Sequence, residues 1–232
     1  MGRAAVARGG YGADMTPVPG ILARGPWAPA DVAVTWSDEP FALAPEVTDD
    51  ADRALAQLRG RGSPSHDGLA ARLAGFAVAD GQLQLHCEPV RWALRLLPGD
   101  AMQSLSALCV VRSADGAWLA GRRAAWLATW AERWALGAAG SVEVGENPAD
   151  TLVRELAEEW SVAPERLSIE ALVRLPNGIA MLVGEAWLAA GAAVTPDAEH
   201  DEFAWWPADP REWPDQADDP LRRLAALMSP PA

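Results

Sequence analysis

Lysine is absent from the 232 residues, and all 19 basic side chains are arginine. The bias is compositional background, although it leaves the chain with the cation that pairs best with phosphate and carboxylate. Cysteine is almost absent too. Cys87 and Cys109 stand in apolar runs without CxxC spacing, which indicates neither a disulfide framework nor a zinc cluster; both are expected to be buried and without a role. No apolar run approaches the roughly 20 residues needed to cross a bilayer, and no secretory leader is evident, so a cytoplasmic protein without membrane attachment is expected. Positive charge is scarce as a whole: 32 Asp and Glu leave a formal charge of -13. A surface of that sign repels nucleic acid and anionic lipid, which argues for a small-molecule partner.

No internal repeat is present. Residues 1–30 mix Gly, Pro and Ala without periodicity and read as a flexible arm. Residues 31–100 read as a small α+β unit: a strand in "DVAVTW", a helix capped by the Thr48-Asp49-Asp50 start of "TDDADRALAQLRGRG", and strands joined by a turn at Asp80 and Gly81. From Ser104 a β-hairpin around Asp115 and Gly116 leads through an aromatic stretch to an acidic segment. Two strand-like runs, "IEALVRLP" and "IAMLVGEAWLA", follow, then an acidic loop, "TPDAEHDEFAWWP". Residues 101–215 are expected to form an α/β or α+β sandwich, and 216–232 a C-terminal helix and tail.

The acidic segment, "GSVEVGENPADTLVRELAEEWSV", carries the chemistry. Asn147 as cap, Pro148 at the first helical position and Asp150 in the first turn predict a helix from Pro148 to Trp160. On it Glu155, Glu158 and Glu159 stand at i, i+3 and i+4 along one face, while Leu152, Leu156 and Trp160 form an apolar stripe. Like charges on adjacent turns repel unless a cation sits among them. Hard oxygen ligands without suitable Cys or His point to Mg²⁺ or Mn²⁺. Arg154 lies four residues before Glu158 and within reach of Glu143 and Glu146.

The segment resembles the signature of the Nudix hydrolase family. Gly140, Glu146, Arg154, Glu155, Leu156, Glu158, Glu159 and Val162 occupy its positions. Ser161 departs from it, standing where the family has a glycine that leaves the helix in a left-handed turn. The resemblance implies an α/β/α sandwich around a mixed β-sheet and Mg²⁺-dependent hydrolysis of a diphosphate linkage in a nucleotide-type substrate, such as a nucleotide sugar, a dinucleotide, ADP-ribose or a nucleoside triphosphate. It also implies roles. Glu158, Glu159 and the Gly140 carbonyl would hold metal, Glu155 would hold metal or orient the attacking water, and Arg154 with Glu146 would brace the loop. A homodimer is the assembly that the resemblance allows.

Beyond the motif, Glu199, Asp201 and Glu202 are candidates for a general base, with Glu199 favoured, Glu185 weaker and His200 structural. Arg122 and Arg123 are candidates for substrate phosphates. Trp126, Trp130 and Trp134, at i, i+4 and i+8, would share one face of a helix as core or as a base-stacking platform. Isomerisation of a small diphosphate alkene, a related reaction, lacks its cysteine upstream of the motif. Residues 31–100 faintly resemble the upstream extension of family members that cleave nucleotide sugars. The alternative to an enzyme is a non-catalytic nucleotide-sensing regulator; retention of every acidic motif position favours the enzyme.

Overall fold

The structure is a computed structural model that describes residues 20–64, 67–97 and 102–228. In chain order the elements are β1 (Gly20–Trp27), β2 (Val32–Trp36), α1 (Pro45–Gly60), β3 (Leu69–Ala79), β4 (Gln82–Arg91), a short 3-10 helix (Trp92–Leu96), β5 (Leu105–Arg112), β6 (Trp118–Arg123), β7 (Trp134–Leu136), β8 (Ala138–Ser141), α2 (Pro148–Trp160), β9 (Arg166–Arg174), β10 (Ala180–Trp187), β11 (His200–Trp206) and α3 (Asp219–Met228).

The large sheet has the order β1-β9-β10-β5-β6-β11, with β7 on β6 and β8 on β5. It is mixed: β10 runs parallel to β5 and antiparallel to β9. Alternate residues along each strand face opposite sides, so Leu182 and Ala186 of β10 join one core with Leu152, Leu156 and Trp160 of α2. Val183, between them, joins a second core with Leu221 and Ala225 of α3. Helices on both faces make this region an α/β/α sandwich, as the resemblance implies.

A small sheet, β2-β4-β3, precedes it. Asp80 and Gly81 take positive φ (52° and 79°), the geometry of a tight hairpin turn between twisted strands. Its inner residues, Leu73, Leu83, Leu85 and Cys87, are fully buried in the same cluster as α2 and the large sheet. Backbone bonds join the sheets as well, Ala71 N–H to Val142 O (2.8 Å) and Leu73 N–H to Gln103 O (3.0 Å).

Three expectations are corrected here. The stretch Gly20–Trp27, assigned to the arm, is β1, an antiparallel partner of β9; its local Gly/Pro content hid a pairing supplied by residues far along the chain. Residues 1–19 of the arm lie outside the described residues. The helix α1 starts at Pro45, before Thr48, because proline is pre-set for a first turn, and it has no side-chain cap. The loop expected at "TPDAEHDEFAWWP" contains β11, which pairs with β6.

Candidate active site

The helix α2 spans Pro148–Trp160 as its sequence dictates. The Asn147 side chain accepts from Ala149 N–H (3.0 Å) and donates to Val32 O of the small sheet (2.9 Å). Leu152, Leu156 and Trp160 are fully buried, and the indole N–H of Trp160 donates to Gly137 O (3.0 Å). This anchoring sets the rotation of the helix and therefore the aim of its carboxylates.

They do not all aim alike. The Glu155 and Glu159 side chains are 11% and 4% exposed, whereas that of Glu158 is 58% exposed. One face of three carboxylates is thus two inward groups and one at the rim, because an i+3 step falls short of a full turn and i+4 overshoots it. Arg154 ties the segment together. It grips Glu146 through Nε (2.9 Å) and Nη2 (3.1 Å), donates to Ser141 O (3.1 Å), and reaches Glu155 (2.7 Å) and Glu158 (3.1 Å) through Nη1. Against the cost of its burial, bonds from Arg154, Thr151 and the Glu143 N–H hold Glu146 below the usual carboxylate range. Glu143 joins this network through its backbone, whose N–H donates to Glu146 Oε2 (3.1 Å).

Burial pushes Glu155 up to about 7, opposed by Arg154 and reinforced by Glu158 and Glu199. Burial also raises Glu159 well above the usual value, although Ala139 N–H bonds its Oε1 (2.9 Å). The other oxygen, Oε2, is buried with no hydrogen-bond partner. Gly140 faces Glu155 so closely that a Cβ there would lie 1.9 Å from its Oε1. An orphaned carboxylate oxygen and a backbone cradled against a second carboxylate fit a hard cation. Among the described residues no group of three or more His, Cys, Asp or Glu side chains is close enough to hold a metal ion; Glu158 turns to Arg154 instead. What the structure brings together here is the Glu155 carboxylate against Gly140 and the buried Glu159 carboxylate against Ala139 N–H.

Glu155, Gly140 and Arg154 border a cleft of about 1070 Å³ on the α3 side of the large sheet, whose lining does not include the more deeply buried Glu159. Glu199 lines it at the start of β11, 3.5 Å from Arg123, which lines it too. Burial raises the Glu199 carboxyl, with Arg123 opposing. Arg122 points the other way, as its neighbour in a strand must, and lies 3.6 to 4.0 Å from Glu132, Asp201 and Glu202. Asp201 and Glu202 are exposed on β11. Arg122, Asp201 and Glu202 therefore stand away from the cleft. Glu185 is engaged by Arg112 and Trp187 (both 3.1 Å) outside it. His200 is buried against Trp160 (ring centroids 4.4 Å) with its nearest Glu159 oxygen at 3.6 Å. Both of its ring nitrogens lack hydrogen bonds, and burial lowers its pKa. The three tryptophans form no helical face: residues 124–133 are irregular, with Trp130 at φ 58°. Trp126 and Trp130 line the cleft, while Trp134 packs on Trp206 (5.5 Å). Cys87 and Cys109 are buried, their thiols pushed up to about 12 by burial.

Sequence reasoning passes over Arg95, which also lines the cleft, from the 3-10 helix after β4. Its only local signal is a charge set inside the apolar run "WALRLL".

The family model that matches this chain describes the NUDIX domain and covers residues 102–224, more than half of the length. The chain belongs to the Nudix family. Among solved structures, it is similar to a MutT protein from Methanosarcina mazei, 24% identical over 44% of this chain and 75% of that one, with a TM-score of 0.38. It is similar also to the NUDIX domain of Shewanella oneidensis NrtR, solved with ADP-ribose (19%, 55% and 89%, TM-score 0.43). A third is a C. elegans Ap4A hydrolase (18%, 53% and 97%, TM-score 0.36). No curated protein sequence matches the chain. Within this Nudix protein, the residues matched include every motif carboxylate but not Arg95. No helix among the described residues is long and apolar enough to cross a membrane.

Proposed function

We propose that the protein is a Mg²⁺- or Mn²⁺-dependent hydrolase that cleaves a diphosphate linkage in a nucleotide-type substrate. The observation that carries this is the pair of buried carboxylates, Glu155 and Glu159, one pressed against Gly140 and the other holding an unpartnered oxygen. A protein that only bound nucleotide would gain nothing from burying two like charges together. Glu155, Glu159 and the Gly140 carbonyl would hold the ion, with Glu158 at the rim. When bound, the cation would neutralise phosphate charge and acidify a water. Arg154 keeps Glu155 and the preceding loop in place. Glu199 stands on a separate element, and its raised pKa suits it to take the proton of the attacking water. The apolar walls of the cleft, with Met181, Leu224 and Trp130, receive the less polar part of the substrate.

The test is a panel of nucleotide sugars, dinucleotides, ADP-ribose and nucleoside triphosphates incubated with the protein and Mg²⁺ or Mn²⁺. Phosphate-containing products should appear for at least one class, and Glu159→Gln should abolish them. Nucleotide binding without turnover on any member would overturn the hydrolase and leave a sensor.

A further inference from the structure

The part of the chain before residue 100 contributes Ser63, Pro64, Leu69 and Ala70 to the cleft, and its one charged group there among the described residues, Arg95, comes with Trp92 from the 3-10 helix Trp92–Leu96. Two side-chain bonds fasten that helix to the large sheet. The indole N–H of Trp92 donates to Ser141 Oγ, and Arg95 Nη2 donates to Ser106 Oγ, both at 3.1 Å. Ser106 and Ser141 are register partners on β5 and β8, and Ser141 follows Gly140. The segment is therefore fastened to the strand pair that carries the proposed cation-binding carbonyl, and Arg95 is delivered into the cleft wall.

Three arginines line the cleft: Arg95, Arg123 and Arg154. Two are already neutralised, Arg123 by Glu199 and Arg154 by Glu146 and Glu155. Arg95 differs. Among the described residues no carboxylate lies within ion-pair distance of it, and its guanidinium spends one N–H on a hydroxyl. A guanidinium has five donors, so four are left without an ionic partner in a residue that lines the cleft, beside the Trp92 ring (5.6 Å to its centroid). In a chain with 32 acidic residues against 19 basic ones, a sunken arginine left without a carboxylate is a costly exception. Burial pushes its pKa down to about 10, with Glu155 and Glu199 the carboxylates whose fields still reach it; it stays charged at neutral pH.

We propose that Arg95 binds the phosphate oxygens of the substrate, so that the N-terminal part of the chain supplies the anion-recognition charge for a cleft whose carboxylates come from the Nudix region. A planar guanidinium fits two oxygens of a phosphate at once. This rests on the hydrolase reading of the same cleft. It gives the N-terminal part a stated task, recognition of the diphosphate, distinct from the chemistry.

The test uses the full chain and inorganic diphosphate as probe, titrated by calorimetry in excess Mg²⁺, with Arg95→Met, Arg95→Lys and Ser106→Ala beside the parent. Loss of a charged hydrogen-bond partner should weaken diphosphate binding by about tenfold or more in Arg95→Met, with a smaller loss in Arg95→Lys. Ser106→Ala removes the pin and keeps the charge, so it should retain most of the affinity. On whichever nucleotide is hydrolysed, Arg95→Met should raise KM by a similar factor and change kcat less. Parent-like binding in Arg95→Met, no binding by the parent, or an equal loss in Ser106→Ala would each overturn the proposal; the last would make Arg95 a structural pin. Should Arg95→Met fail to melt cooperatively, Arg95→Lys against Ser106→Ala carries the same comparison. Arg95-dependent diphosphate binding without hydrolysis of any nucleotide would refute the hydrolase reading alone. Hydrolysis with an unchanged KM in Arg95→Met would refute only the role of Arg95.

Discussion

Glu155 and Glu159 are both buried, Glu159 with one oxygen left without a partner, and that has a consequence for stability as well as for catalysis. The folded pKa of each is raised by burial, that of Glu155 from 4.5 to about 7. The folded state therefore binds protons more tightly than the unfolded state, so their contribution is fully present below the unfolded value and is lost as pH rises through the folded one. Without metal, the melting temperature should fall between roughly pH 5 and pH 7, and Glu155→Gln should flatten that fall. Added Mn²⁺ should raise the melting temperature more at the upper end, where the carboxylates are charged. An identical pH slope in Glu155→Gln and the parent, measured in chelator, would contradict the burial argument. Glu146, held low by Arg154, acts in the opposite sense and only at more acid pH. For Glu199 the readout is kinetic. Glu199→Gln should reduce turnover by about a hundredfold or more with little change in KM, since proton acceptance belongs to the transition state. Turnover within a few-fold of the parent would leave Glu199 as the counter-charge of Arg123.

At the scale of the element, α2 shows how one helix serves packing and chemistry together. Its apolar stripe, ending in Trp160, sets the rotation that buries Glu155 and Glu159 and leaves Glu158 at the rim. Its exit is less well served. Ser161 takes φ 55° and ψ 35°, the left-handed conformation, and its N–H bonds Ala157 O (3.0 Å). The chain thus makes the turn that the family assigns to glycine, with a side chain that disfavours it. Ser161→Gly should stabilise the protein by about 1 kcal/mol, the left-handed penalty less the extra backbone entropy of glycine. Denaturant unfolding would measure this, and a loss of stability would show that the serine side chain supports the turn.

For the whole molecule, the decisive feature is that one core serves both sheets. Leu73, Leu83 and Leu85 of the small sheet pack in the same cluster as Leu105, Leu156 and Trp160, and β1 completes the large sheet from the N-terminal side. The sequence reading sets residues 31–100 apart as a small α+β unit that contributes none of the motif carboxylates. A chain beginning at Met102 would instead uncover the core residues that pack on Leu73, Leu83 and Leu85 and leave β9 without β1, a loss of burial that a marginally stable fold tolerates poorly. We expect such a truncation to be aggregated or to melt without cooperativity, as seen by calorimetry and dye binding. A soluble truncation with a sharp melting transition would show that the two parts fold independently.

The helix α2, its cap, its apolar stripe and the bracing of the loop by Arg154 and Glu146 were legible in the sequence, because each depends on neighbours within about three turns and on a helical period that the residues themselves display. The turn at Asp80 and Gly81 was legible for the same reason. Local pattern was not enough for Gly20–Trp27, whose partner β9 is more than a hundred residues away, nor for the tryptophans at 126, 130 and 134, whose helical spacing is overridden by a chain bent between β6 and β7. The alternation that turns Arg123 inward and Arg122 outward needed a register with β11. Arg95 needed still more: its isolation from carboxylates and its seat on Ser106 arise only when the small sheet closes against the large one. Charge and spacing named the carboxylates; packing between distant segments decided which of them are buried, and which arginine is left to meet an anion.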